Sequence, residues 1–444
     1  MKEPSSKINK QLQGQTRIDD LREKKRALII GFYESGRDKP KCAEHLLELE
    51  SLCDTYGLEV IIKEPCFLKK IDVATYIGKG KVVEIFEKAQ NQKIDIIIFD
   101  EEIAPHQQRN LEKQLEKMVI DRTELILGVF AKRAKTNEAK IQIDLAKCRY
   151  ELPRLKRLWT HLSRQRMSGS SGGHLKGEGE KQIEIDKRIL KTKISKLTHE
   201  LANIKKHRHE NRKSRLRQNI PTFAIIGYTN SGKSTLLNQL TKADVLVEDK
   251  LFATLDTTTR KYTLPNAQKI LLIDTVGFIR KIPHNLVASF KSTLEEAAYT
   301  DILMHLVDIS DENFEEKIKA TYEVLEELQI TDKPVITVFN KIDVSSDEQK
   351  IIAKKMQIET PKSVIISCLE KENIEELLEL MVKEISLLRK RFFLKIPQEK
   401  YHLVSKLMKN GSVISIEYEG NDVLLDIEIS ALLEHEVKPF IQEK

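Results

Sequence analysis

The chain has 444 residues, 40% of them hydrophobic and 32% charged, with 17 Gly and 12 Pro. That length exceeds one ordinary hydrophobic core, and the composition excludes a disordered or fibrous chain. The formal net charge of +7 is small for this size, so where the basic residues sit says more about a nucleic-acid partner than their total.

No run of 18 apolar residues occurs, which rules out a membrane-spanning helix on length. The polar start, Met1-Lys2-Glu3-Pro4, has no apolar stretch of the secretory type behind it. Cys42, Cys53, Cys66, Cys148 and Cys368 are scattered without paired metal-ligand spacing and read as free thiols of a reducing compartment. The expectation is a cytoplasmic protein, peripheral to a membrane at most.

Residues 1–25 read as a polar tail. An N-terminal α/β domain is expected over 26–135. There the β-branched runs Ala27 to Gly31, Leu58 to Lys63 and Asp95 to Asp100 alternate with helical stretches Cys42 to Tyr56 and Gly80 to Asn91, the pattern of a small parallel sheet.

Residues 136–218 change character. Ile141, Leu145, Cys148, Leu152, Leu155, Trp159 and Leu162 recur in steps of four and three, and so do Leu190, Ile194, Leu197, Leu201 and Ile204. Between the two series lies the glycine-rich run Ser168 to Gly179, a natural chain reversal. The pattern predicts an antiparallel helical hairpin with a glycine-rich tip, kinked but not ended at Pro153. Lys181 to Arg217 holds thirteen Lys and Arg against four acids. Such a run is either a solvated helix face or a surface suited to RNA phosphates. The hairpin satisfies its own seam, so a monomer is expected.

Residues 219–388 carry the chemistry. After the strand Thr222 to Ile226, Gly227-Tyr228-Thr229-Asn230-Ser231-Gly232-Lys233-Ser234, followed by Thr235, fits the phosphate-loop pattern at every fixed position. Its glycines let backbone N–H groups cradle phosphates at a helix N-terminus, with Lys233 for the β- and γ-phosphates and Ser234 for Mg²⁺. The strand Ile270 to Ile273 ends in Asp274-Thr275-Val276-Gly277, where Asp274 can hold Mg²⁺ through water and the Gly277 N–H can meet the γ-phosphate. The strand Val335 to Phe339 ends in Asn340-Lys341-Ile342-Asp343, whose Asp343 carboxylate matches the paired donors of guanine and not adenine. Ser363 to Ile366 leads to Ser367-Cys368-Leu369, placed to offer a backbone N–H to guanine O6. Each piece alone is ordinary loop chemistry, but in this order they predict a GTP- and GDP-binding, GTP-hydrolysing site.

Phe252-Ala253-Thr254-Leu255-Asp256 lies where the first switch belongs, and Thr254 is expected to bind Mg²⁺, with Thr257 to Thr259 as alternatives. Phe278 follows Gly277, where Ras-like enzymes carry the glutamine that orients water. The catalytic group is therefore not assigned, and slow intrinsic hydrolysis is expected. Residues 389–444 read strand, helix, strand, Gly420-Asn421-Asp422 turn, strand, helix: a small α+β C-terminal domain. The fold class expected overall is α/β, with the P-loop GTPase (Ras-like) domain third in order.

Phe252 to Asp256 together with Asp274 to Ile279 resembles the HflX GTPases of the Obg–HflX group. So do Tyr76-Ile77-Gly78-Lys79-Gly80-Lys81, Asp121-Arg122-Thr123-Glu124-Leu125-Ile126-Leu127 and Arg157-Leu158-Trp159-Thr160-His161-Leu162-Ser163-Arg164-Gln165. The resemblance implies a GTPase that binds the large ribosomal subunit and its rRNA, not DNA, and splits stalled or idle ribosomes under stress. It also implies ATP binding by the N-terminal module in some members. The tip departs from the family's Gly-Pro-Gly-Glu-Thr-Gln, reading Gly177-Glu178-Gly179-Glu180-Lys181-Gln182, and Thr257 stands where proline is usual. The runner-up function is a GTP-gated rRNA-binding assembly or anti-association factor with incidental turnover. A tRNA-modification GTPase lacks its usual C-terminal cysteine here, and a metabolic kinase would have no use for Asn340 to Asp343.

Overall fold

A computed structural model describes residues 25–155, 176–216, 220–241, 251–252, 257–281, 297–387, 389–430 and 434–442. The chain divides into two units, Met1–Lys205 with Glu248–Asp256 and Lys281–Ser292, and Lys206–Val247 with Thr257–Arg280 and Thr293–Lys444.

In the first unit, β1 (Arg26–Tyr33), α1 (Lys39–Tyr56), β2 (Glu59–Phe67), α2 (Lys79–Asn91), β3 (Ile96–Phe99), α3 (Pro105–Leu115) and β4 (Met118–Asp121) alternate. The strands form a four-stranded sheet in the order β2-β1-β3-β4, parallel at every pairing. Ala27 to Ile30 and Ile96 to Phe99 are fully buried, which explains their unbroken apolar runs: helices cover both faces of a parallel sheet. β2 continues past Lys63 through Pro65, which a strand tolerates at a sheet edge where no ladder N–H is needed. α1 stops at Gly57, whose φ of 93° lies in the left-handed region.

α4 (Arg122–Arg133) begins at a buried ionic hub. Asp121 caps it by accepting from the Glu124 N–H at 2.9 Å, and the same carboxylate accepts from Tyr150 Oη at 2.9 Å and Arg154 Nη2 at 3.2 Å. Burial pushes the Asp121 carboxyl up to about 6 against the pull of Arg154. Arg122, buried beside it, donates to Asp100 Oδ1 at 2.7 Å and to Glu48. Tyr150 and Arg154 belong to the first hairpin arm, α5 (Asn137–Glu151) and the tight turn Leu152–Arg154, so the hub anchors that arm to the sheet.

The chain keeps right-handed helical dihedrals at Leu152 and Leu155, so Pro153 tightens the helix into a 3₁₀ turn without ending its direction. α6 (Lys176–Leu216) returns, and Ile141, Leu145, Cys148 and Leu155 pack with Leu190 and Leu197 in one cluster, flanked by Leu152, Ile194, Leu201 and Ile204. Gly177 and Gly179 lie inside this helix instead of the tip, in a first turn whose N–H groups have no helical partner anyway. Trp159, Leu162 and the run Ser168 to Leu175 lie outside the described residues.

The second unit contains β5 (Thr222–Gly227), α7 (Lys233–Thr241), β6 (Thr258–Thr263), β7 (Lys269–Asp274), β8 (Ile302–Asp308), α8 (Phe314–Glu327), β9 (Val335–Asn340), α9 (Asp347–Glu359), β10 (Ser363–Ile365) and α10 (Ile374–Leu387). The sheet order is β10-β9-β8-β5-β7-β6, parallel except for the antiparallel edge strand β6. The same unit carries β11 (Arg389–Pro397), α11 (Tyr401–Asn410), β12 (Ser412–Glu419), β13 (Asp422–Ser430) and α12 (Glu434–Val437). These strands form a three-stranded antiparallel sheet, β11-β13-β12, with Gly420 at φ 60° in the β12–β13 turn.

The Asp121 hub separates strong from weak charge pairs. Asp121→Ala should lower unfolding stability by about 3–5 kcal/mol in urea denaturation, because it removes the buried counter-charge of Arg154 and the nearer acceptor of Tyr150 Oη. Lys196→Ala removes only an exposed pair to Glu200 at 4.0 Å and should change stability by less than about 0.5 kcal/mol.

Candidate functional site

The site is built where β5, β7, β8 and β9 end. β5 is buried from Phe223 onwards and delivers Gly227 at φ 144°. A side-chain carbon there would stand 2.2 Å from the Leu306 carbonyl oxygen of β8, so only glycine fits. The loop then turns through Asn230 at φ 64° to Gly232 at φ 95°, where an added carbon would lie 2.4 Å from Asn340 Nδ2. α7 starts at Lys233, so its free N–H groups open onto the loop.

Asn340, at the end of β9, ties three segments together. Its Nδ2 donates to the Ser231 carbonyl at 2.9 Å, and its Oδ1 accepts from the Cys368 N–H at 3.0 Å. Lys341 sits at φ 71° and pairs through Nζ with Asp308 Oδ2 at 2.6 Å. Asp343 is exposed in the 3₁₀ turn Ile342–Val344. Ser367 is fully buried, pairs through its backbone with Glu372, and accepts at Oγ from the Glu370 N–H at 3.0 Å. Burial, with the Asp343 charge added, pushes the Cys368 thiol up to about 12, so it stays neutral. Leu369 is exposed.

The phosphate side is equally defined. Lys233 is buried and donates through Nζ to the Tyr228 carbonyl at 2.6 Å. Burial pushes its ammonium down to about 8, partly opposed by the Asp274 charge. Ser234 Oγ donates to Asp274 Oδ2 at 2.7 Å, a hydroxyl and a carboxylate side by side, which is a hard-oxygen donor set suited to Mg²⁺. Thr275 Oγ1 donates to the Ile225 carbonyl at 2.7 Å and locks the end of β7 to β5. Phe278 is buried and bridges the loop, its N–H donating to Gly227 O at 3.0 Å while its carbonyl accepts from the Thr229 N–H at 2.7 Å. Tyr228 Oη accepts from the Arg280 N–H at 2.7 Å.

Gly227 to Thr235, Asp274 to Gly277, Asn340 to Asp343 and Ser367 to Leu369 thus come from the adjoining ends of β5, β7, β9 and β10. Phe252 is grouped with the first unit, where its ring packs edge-on against Phe130, centroids 4.5 Å apart. Ala253, Thr254, Leu255 and Asp256 lie outside the described residues. Thr258 and Thr259 are paired in β6, opposite Asp274 and Ile273. Sequence reasoning missed Asp308, the partner of Lys341, although Val307-Asp308 closes a buried strand like the others. His305 is a core residue: burial, and then Lys233, push it down to about 4.

A separate concavity of about 630 Å³ in the first unit is lined by Phe32, Tyr33, Lys41, His45, Lys69 and Tyr76 among others. None of the phosphate-loop residues lines it. Among the described residues no helix is long and apolar enough to cross a membrane.

Three family models match: "GTP-binding GTPase N-terminal" over residues 43–131, "GTP-binding GTPase Middle Region" over 133–215, and "50S ribosome-binding GTPase" over 222–341. The chain is 48% identical over 416 residues to "GTPase HflX" of Chlamydia pneumoniae, covering 94% of this chain and 88% of that one. It is 38% identical over 380 residues to "GTPase HflX" of Escherichia coli K12, covering 86% and 87%. A crystal structure of a GTP-binding protein from Sulfolobus solfataricus in complex with GDP is 29% identical, with 81% and 98% coverage and a TM-score of 0.42.

Lys233 gives a pH signature. Its folded value lies below the ordinary lysine value, so its charged form opposes folding of the ligand-free chain at pH values under about 8, and this penalty is relieved as pH rises towards 10.5. Lys233→Met should therefore be more stable than wild type at neutral pH, by roughly 2–3 kcal/mol, with the gap closing as pH rises through that window. Urea denaturation across the range measures it.

Proposed function

The chain belongs to the HflX family of GTPases, and from that membership we propose that it associates with the large ribosomal subunit and splits or recycles stalled or idle ribosomes under stress. It binds and hydrolyses GTP. The observation that carries the ribosomal reading is the match of residues 222–341 to a family described as 50S ribosome-binding GTPases. The basic second arm of the hairpin supports it: thirteen Lys and Arg against four acids between Lys181 and Arg217 is a charge density suited to rRNA phosphates.

In this reading the backbone N–H groups of Asn230 to Thr235 cradle the phosphates, and the Lys233 ammonium is held against them. Ser234 and Thr254 would hold Mg²⁺ directly and Asp274 would hold it through water; the close pair of Ser234 Oγ and Asp274 Oδ2 fits such an ion, which would supply charge neutralisation for the phosphates. Asp343 accepts from guanine N1–H and N2, while the loop Ser367 to Leu369 supplies the N–H for O6. Phe278 carries no group able to orient water, so intrinsic hydrolysis is slow and the ribosome stimulates it.

Phe278 is also the observation that favours the second reading, an rRNA-binding assembly or anti-association factor for which GTP sets affinity and turnover is incidental. Multiple-turnover hydrolysis with and without ribosomes separates the two. Stimulation of at least about tenfold is expected. An unchanged rate favours the second.

Base specificity gives an independent check. Asp343→Asn should weaken GDP binding by roughly 10²–10³-fold, because a carboxamide cannot accept from both guanine donors. Xanthine nucleotides, which present an acceptor in place of the amine, should bind the variant better than wild type. Titration with fluorescent GDP and XDP reads both changes.

A further inference from the structure

Tyr228 is buried in the phosphate loop and engages other parts of the site through both its backbone and its side chain. Its carbonyl accepts from Lys233 Nζ at 2.6 Å, and its backbone forms a parallel bridge with Phe278. Its Oη accepts from the Arg280 N–H at 2.7 Å. On α8, Lys317 Nζ stands 4.9 Å from the centre of its ring. The ring is thus engaged by α8 at its face and by the chain after Phe278 at its hydroxyl.

These contacts bear on the residue just before Phe278. A carbon built on Gly277 would stand 2.9 Å from Thr229 Cα and 3.1 Å from Lys233 Nζ, so Gly277 lies against the loop beside its lysine. Gly277 offers only backbone, and the Phe278 side chain has no polar atom. What this pair of residues can give a γ-phosphate is therefore backbone N–H, and the aim of an N–H depends on how the chain is pinned. Phe278 is pinned twice, its N–H donating to Gly227 O at 3.0 Å and its carbonyl accepting from the Thr229 N–H at 2.7 Å. Two residues further on, the Tyr228 hydroxyl stands in for a backbone acceptor and extends the pairing to Arg280. Arg280 is the final residue of the segment Thr257–Arg280 of the second unit, so the hydroxyl pins that segment at its end.

We propose that Tyr228 is a positioning residue for GTP hydrolysis: by holding the Arg280 N–H, its hydroxyl keeps the stretch Gly277 to Arg280 in the arrangement that aims the Gly277 N–H at a γ-phosphate. The tyrosine side chain acts through that stretch and not by contact with the nucleotide. Its effect therefore falls on the γ-phosphate alone, which makes it a determinant of GTP over GDP and of the hydrolysis rate. This inference rests on the nucleotide site read above.

The test compares full-length wild type with Tyr228→Phe, which keeps the ring that Lys317 faces and loses the hydroxyl. Affinities for GDP and for a non-hydrolysable GTP analogue, and single-turnover hydrolysis at saturating GTP, are measured on both. Tyr228→Phe should bind GDP as wild type does, bind the analogue about tenfold more weakly, and hydrolyse GTP at least about tenfold more slowly. Amide hydrogen exchange adds a readout on wild type itself. There the Arg280 N–H should be protected, and in Tyr228→Phe it should exchange faster while the Thr229 N–H stays protected. Equal weakening of GDP and analogue would mark a residue that only builds the loop, and overturns the inference. So does unchanged hydrolysis, or an unprotected Arg280 amide in wild type, a result that holds even if the variant does not fold. Failure of wild type to bind GDP would instead overturn the site reading itself.

Discussion

The side-chain amide of Asn340 holds the site together. Its two ends are spent on Ser231 O and Cys368 N, so one planar group fixes the phosphate loop against the loop after β10. A buried amide satisfied at both ends is worth more than either bond alone, because loss of one partner strands the other group without water. The contact also dictates sequence around it. Gly232 is the only residue that can pass Asn340 Nδ2, and Gly227 the only one that can pass Leu306 O. Loop, strand end and amide are thus mutually required.

Around this anchor the electrostatics are arranged for a ligand that brings negative charge. Lys233 is buried deeply enough that its proton is loosened, while the buried Asp274 opposes that shift. Polyanionic phosphate would hold the proton on Lys233 more tightly, and burial strengthens that contact. Phe278 belongs to the same economy of space. Its backbone pairs with Gly227 and Thr229 across the loop, and its side chain is buried.

Much of this was legible in the sequence because the relevant signals are periodic or tightly spaced. The seam residues Ile141, Leu145, Cys148, Leu152 and Leu155, with Leu190, Ile194, Leu197, Leu201 and Ile204, are the residues that pack between the hairpin arms. The phosphate loop was legible because glycine is required at two positions for steric reasons and lysine and serine follow at fixed offsets. What escaped was short or long-range. β4 has four residues, Met118–Asp121, too few for an alternation to register. β2 runs through Pro65, which reads as a stop until the strand is known to be an edge. The Asp121 hub joins residues about thirty apart in sequence, and Asp308 meets Lys341 from a different strand; neither pairing leaves a local pattern. The packing of Phe252 on Phe130 joins residues more than a hundred apart in sequence and likewise leaves no local pattern.

In the proposed function the bound nucleotide controls ribosome binding. Co-sedimentation with purified ribosomes and isolated subunits, at one fixed salt concentration, reads this control. Retention on large subunits with a non-hydrolysable GTP analogue and release with GDP is the expected result. Equal binding in both nucleotide states, or none in either, would overturn the proposal.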